Sequence, residues 1–138
     1  MTDRETLEGV VNTLYAARGV NDIGAMMALA GPDFSFRMVG SGRLTPMTQQ
    51  VSEPAAVDTA VQTLVAHWDM SKVKTTSLHV DGNTVFAHRA GVIRYTPNGK
   101  EVETEFLDRF TFKDGKIVDM TQFVDTLMIA DTVGLLDV

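Results

Sequence analysis

A chain of 138 residues with 44% hydrophobic and 22% charged residues has the size and composition of one globular domain, so a single domain over residues 1–138 is expected. Its 18 acidic residues against 12 basic ones leave a net charge of −6, which repels phosphate backbones and argues against a nucleic-acid partner. Cysteine is absent, which excludes a thiol nucleophile, a thiolate metal site and a disulfide scaffold; no apolar run of 18 residues predicts a membrane span, and the acidic start lacks a signal-peptide pattern, so a cytoplasmic protein is expected.

Leu7, Val10, Val11, Leu14 and Ala17 recur at helical spacing, with Asp3 and Glu5 at the end that favours acids and Gly19 as a stop. Asn21 or Asp22 can cap a second, shorter helix carrying Ile23, Met26, Met27 and Leu29, which Gly31-Pro32 should end. Phe34, Phe36 and Met38 then alternate with Ser35, Arg37 and Val39 as a strand that stops at Gly40-Ser41-Gly42, and residues 43–52 read as a loop. A third helix is predicted from Glu53-Pro54 to no further than Ser71, with Val57, Val61, Leu64, Val65 and Trp68 on one side.

Beyond it the period switches to two, in runs near 72–80, 84–95, 101–113 and 116–125, joined by Asp-Gly-Asn, Thr-Pro-Asn-Gly and Lys-Asp-Gly turns. The end, with Leu127, Met128, Ile129, Val133, Leu135 and Leu136, is either a short helix, which Asp125 would cap, or an apolar tail. Helices first and hairpin-linked strands afterwards predict an α+β domain with an antiparallel sheet covered on one face.

Alternation between Val102 and Phe112 puts Val102, Thr104, Phe106, Asp108, Phe110 and Phe112 on one face, and Glu103, Glu105, Leu107, Arg109 and Thr111 on the other. A carboxyl among three phenylalanines is desolvated, which raises its pKa and suits it to proton transfer. The plainer alternative is that Asp108 bonds backbone donors or pairs with an arginine and does no chemistry. Arg89, on a face with Val85, Ala87, Gly91, Ile93 and Tyr95, is a candidate countercharge. For the strand 116–125 both faces are partly apolar, and periodicity does not choose between them. His67, His79 and His88 have no metal-ligand spacing, and neither a phosphate-cradling glycine loop nor a nucleophile elbow occurs, so no metal or cofactor is expected.

The order of these elements resembles the SnoaL-like group of the nuclear transport factor 2-like superfamily, relatives of ketosteroid isomerase and limonene epoxide hydrolase. The resemblance spans the chain and rests on Leu14-Tyr15-Ala16-Ala17 followed by Asn21-Asp22-Ile23, on Val80-Asp81-Gly82-Asn83, on Thr96-Pro97-Asn98-Gly99-Lys100, on Phe110-Thr111-Phe112-Lys113-Asp114-Gly115-Lys116-Ile117, and on Phe123-Val124-Asp125. It implies a cone: a strongly curved sheet wrapped around the N-terminal helices, a deep apolar cavity, and a homodimer. It also implies that Asp108, matching the isomerase's oxyanion-hole acid, Gln122 and Tyr15 form the polar set, and that Phe36, Met38, Trp68, Arg89, Phe106, Phe110, Met120 and Val124 line the cavity.

Several of the family's carboxylates are replaced. The isomerase base falls near Arg37 or Met38, the cyclase and hydrolase aspartate falls on Gln122, and the aspartate that accompanies the hydrolase arginine, here Arg89, is Gly91. The expectation is therefore a pocket protein for a small apolar molecule. It would act as an isomerase- or cyclase-type enzyme on a carbonyl or polyketide-like compound through hydrogen-bond and acid catalysis by Asp108. The alternatives are a non-catalytic binder and a homodimerising association module whose cavity is filled.

Overall fold

In a computed structural model, which describes residues 3–136, the chain runs α1 (Arg4–Gly19), α2 (Ile23–Met27), β1 (Ala30–Met38), a 3-10 turn (Gly42–Met47), α3 (Pro54–His67), β2 (Trp68–Asp81), β3 (Thr84–Tyr95), β4 (Lys100–Lys113), β5 (Lys116–Phe123) and α4 (Thr126–Thr132). Local chemistry sets the helix starts. Asp3, Asp22 and Asp125 cap α1, α2 and α4 by accepting from the backbone N–H of Thr6, Ala25 and Met128, and Pro54 opens α3. Leu7, Val11, Leu14 and Ala17 are the buried stripe of α1, and the end of the chain resolves as a helix whose Ile129 and Ala130 are buried.

The five strands form one sheet in the order β1-β5-β4-β3-β2. The three hairpins are antiparallel as expected, but β1 pairs with β5 in parallel, so the sheet is mixed and not wholly antiparallel. Turn residues announce only the pairing of neighbours in sequence. The edge pairing arises because the chain crosses from β1 to the far edge through α3 and then returns strand by strand.

Three boundaries differ from expectation, each because of a tertiary partner. Gly31-Pro32 lies inside β1, which begins at Ala30 opposite Ile117; on an edge strand the N–H that proline lacks is not missed. Helix α3 ends at His67, and Trp68, expected on that helix, is the first residue of β2, pairing with Tyr95 with ring centroids 4.7 Å apart. Residues 43–52 are not merely a loop. Leu44 of the 3-10 turn is buried, and Phe36 and Val51 exchange backbone hydrogen bonds of 2.9 Å.

Two apolar clusters flank the interior. One joins α1 to the sheet through Leu7, Val11, Val85, Phe110 and Ile117; the other joins the 3-10 turn and α4 to the opposite end through Leu44, Trp68, Ile93, Phe106 and Ile129. Strand β2 is interrupted by register shifts between Asp69 and Lys72 and between Thr75 and Ser77. Just beyond the first, paired with Val73, sits Gly91, at φ +150°, where an added Cβ would lie 2.3 Å from the Lys72 carbonyl oxygen. No side chain, an acid included, fits there without moving backbone.

Candidate functional site

The side chains that face inward from α1 and from strands β3, β4 and β5 meet around Asp108. Strand alternation turns Asp108 to the same side as Phe106 and Phe110, and its neighbours across the ladder are Ala87 and Gln122. Asp108 is 1% exposed and Arg89 is 6% exposed. From α1, one position after the buried Leu14, the Tyr15 hydroxyl donates to Asp108 Oδ2 over 2.6 Å, the short length of a bond to an ionised oxygen. The Arg89 guanidinium lies over the Tyr15 ring, 3.7 Å from its centroid, and its Nη1 donates to Thr75 Oγ1 at 2.8 Å. Phe110 meets the Tyr15 ring edge-on at 5.9 Å.

Two polar atoms in this cluster are buried without a protein hydrogen bond: Asp108 Oδ1 and Arg89 Nε. Each such atom ordinarily costs about 1–3 kcal/mol. Burial pushes the Asp108 carboxyl up to about 6, against the lowering pull of the Tyr15 hydrogen bond, the Gln122 amide and the Arg89 charge. Gln122 acts there by proximity, since no hydrogen bond of good geometry reaches Oδ1. Burial, then the adjacent Asp108 charge, holds the Tyr15 phenol far above its ordinary value, so Tyr15 stays a donor. Desolvation lowers Arg89, with Tyr15 and Asp108 opposing it. At neutral pH the cluster is therefore a carboxylate with one oxygen held and one free, beside a cation.

The cluster borders a cavity in two parts. An inner chamber of about 90 Å³ is walled by Tyr15, Arg89, Phe106, Asp108, Phe110 and Met120 among others. An outer chamber of about 360 Å³ is walled by Met38, Trp68, Tyr95, Val124, Met128 and parts of the 3-10 turn and α3. Arg18, Phe36, Leu64, Met70, Phe106 and Gln122 border both and form the waist between them. Every residue expected to line a cavity thus borders one chamber or the other. The ambiguity over strand 116–125 resolves with Met120, Gln122 and Val124 inward and Thr121 outward, where Arg109 Nη2 donates to Thr121 Oγ1.

The sequence does not mark Arg18, Met70 or Thr75, and marks Leu64 only as part of the apolar side of α3. Arg18 donates to the backbone carbonyls of Leu64 and Trp68, tying α1 to the α3–β2 junction. Its place four residues after Leu14 was a usable signal, whereas Thr75 is aimed by a bulge that no pattern announces. His67 borders the outer chamber, His88 lies on the outward face beside Thr76 and Glu105, and among the described residues no cluster of acidic and imidazole groups could hold a metal ion.

The sequence profile described as the SnoaL-like domain matches residues 11–120. The chain belongs to this family. Among solved structures, a nuclear transport factor 2-like protein from Burkholderia thailandensis E264 is 27% identical, with 92% of this chain and 96% of that one covered and a TM-score of 0.76. A candidate polyketide cyclase from Xanthomonas campestris pv. campestris is 18% identical, covering 96% and 99%, with a TM-score of 0.76. An epoxide hydrolase of the limonene epoxide hydrolase-like kind from M. tuberculosis is 18% identical, covering 96% of each chain, with a TM-score of 0.71. No curated protein matches the chain significantly in sequence. These similarities establish the α+β cone for this SnoaL-like protein.

Proposed function

We propose that this SnoaL-like protein binds a small apolar carbonyl or polyketide-like compound and acts on it as an isomerase- or cyclase-type enzyme through proton exchange with Asp108. The observation that carries the proposal is the asymmetry of that carboxyl: Tyr15 holds Oδ2, while Oδ1 has no protein partner and the residue borders the inner chamber. A group poised at about 6 loses and regains a proton readily near neutrality. In an isomerisation, Oδ1 takes a proton from the carbon beside a carbonyl, the electron pair passes to the carbonyl oxygen, and the proton returns at another position. The carboxylate is regenerated and no co-reactant is consumed. The resemblance to ketosteroid isomerase implies a protonated, donating Asp108; here a carboxyl held at about 6 supports a carboxylate above that pH.

The test is hydrogen–deuterium exchange at the α-carbons of a small apolar ketone, trans-2-decalone, in deuterated buffer. Wild type should accelerate exchange, with a rate that rises through pH 6, and Asp108→Asn should lose about 10²–10⁴ of that acceleration. Equal exchange by the variant would sink the enzyme and favour the plain binder, in which the same cavity only holds its guest. The association module with a filled interior is disfavoured by the outer chamber, whose ~360 Å³ falls within the ~300–1,000 Å³ of ligand sites. The proposal includes a cytoplasmic homodimer formed through the outward face of the sheet, checked by sedimentation. Among the described residues no helix is long and apolar enough to cross a membrane.

A further inference from the structure

The two unpartnered atoms of the inner chamber are of opposite kinds. Arg89 Nε is a donor that cannot rotate away, because Nη1 is fixed on Thr75 and the guanidinium plane rests on the Tyr15 ring. Asp108 Oδ1 is an acceptor whose carboxylate is fixed through Oδ2 by Tyr15. Their side chains stand on neighbouring strands, Asp108 opposite Ala87 and Arg89 opposite Phe106, and among the described residues no ion pair joins the two. Both residues are more than nine-tenths buried. A fold that leaves a donor and an acceptor buried and unpartnered on two residues that wall one small space is suited to a guest that satisfies both.

We propose that the inner chamber selects an uncharged oxygen that both accepts and donates, an alcohol or the enol of a carbonyl compound, with its oxygen on Arg89 Nε–H and its proton toward Asp108 Oδ1. The inference rests on the cavity being a ligand site, as proposed above, and adds the identity of the head group and a binding role for Arg89. Alternatives fail on charge or count. A carboxylate meets Asp108, an ammonium meets Arg89, and an ether or ketone pairs Arg89 but leaves Oδ1 unsatisfied. The ~90 Å³ of the inner chamber suits a head group, and the apolar body would pass the waist into the ~360 Å³ beyond.

The ionisable groups facing this space are Tyr15 and Arg18 from α1, Arg89 from β3 and Asp108 from β4, and of these Asp108 alone changes charge between pH 5 and 8. Below pH 6 Asp108 becomes a donor as well as an acceptor, so a ketone then finds two donors and its handicap shrinks.

Calorimetric titration of the intact protein with trans-2-decalol, its methyl ether and trans-2-decalone tests the proposal. At pH 8 the alcohol should bind at least tenfold more tightly than the ether or the ketone; at pH 5, where protonated Asp108 also donates, alcohol, ketone and ether should come within about threefold of one another. The Arg89 Nε–H proton resonance should move with the alcohol, and Arg89→Lys should weaken alcohol and ether alike, at least tenfold for the alcohol, because both accept from Nε–H, while the alcohol's advantage over the ether stays within twofold of its wild-type value. An ether that equals the alcohol at pH 8, or an unmoved Arg89 resonance in the saturated complex, overturns the head-group assignment while leaving the pocket intact. No binding of any of the three at millimolar concentration would instead overturn the pocket itself.

Discussion

The inner and outer chambers share a waist but are built from different materials. The inner one is walled by the sheet and α1, where strand pairing on both sides of β4 and the fully buried Phe110 hold Asp108, Tyr15 and Arg89 in fixed relation. The outer one is closed by pieces that hang from the sheet: the 3-10 turn, the end of α3 and α4, with Met47 39% exposed at its rim. Chemistry that depends on tenths of an ångström sits on the rigid elements. Size and shape selection is left to methionines and short segments that adapt at little cost.

This contrast can be broken by comparing substitutions in the two walls. Removing the floor of the inner chamber, Phe110→Ala, should lower unfolding free energy by about 3–5 kcal/mol in urea denaturation. Asp108→Asn should do the opposite at neutral pH. The folded carboxyl, at about 6, keeps its proton where the unfolded one, near 3.8, has lost it, so wild-type stability falls as pH rises from about 4 to about 6 and stays lower above. Asparagine removes that fall and should gain up to about 3 kcal/mol at pH 8 and nothing below pH 4, measured by denaturation at both.

Gly91→Asp, which would restore an acid beside Arg89, should cost about 2 kcal/mol or more because its Cβ strikes the Lys72 carbonyl, and thermal melts would read the loss. On the outer wall the effects shrink. Asp125→Ala removes the cap of α4 and should cost about 1 kcal/mol by the same measurement. Met47→Ala should stay within about 0.5 kcal/mol while changing affinity for a bulky guest, so a large loss of stability there would erase the distinction between the two walls.

The facing of Asp108 was legible because a strand's period of two assigns faces without knowledge of the partner strands. The cap at Asp125, and that at Asp22 as one of two choices, were legible because a cap is satisfied within four residues; Asp3 was legible only as an acid at the favourable end of the helix dipole, and its capping bond to Thr6 was not. The Tyr15–Asp108 bond joins residues 93 apart, and the stack of Arg89 on Tyr15 joins two elements that no local pattern relates. Trp68 went to the strand because its pairing with Tyr95 outweighs a helical preference visible only locally. Arg18 escaped notice because a basic residue in a last turn has a sufficient local reason to be there.

Sequence by itself determined the α+β class of this chain, where its helices and hairpins lie, and that a carboxyl would be carried on an apolar face, since propensity, capping and alternation act over a few residues. Tertiary structure alone decided that β1 runs parallel to β5, that the interior divides into two chambers, and that one oxygen of Asp108 is held while the other is open. Those properties belong to distances between elements far apart in the chain, which are set by packing and not by neighbours in sequence.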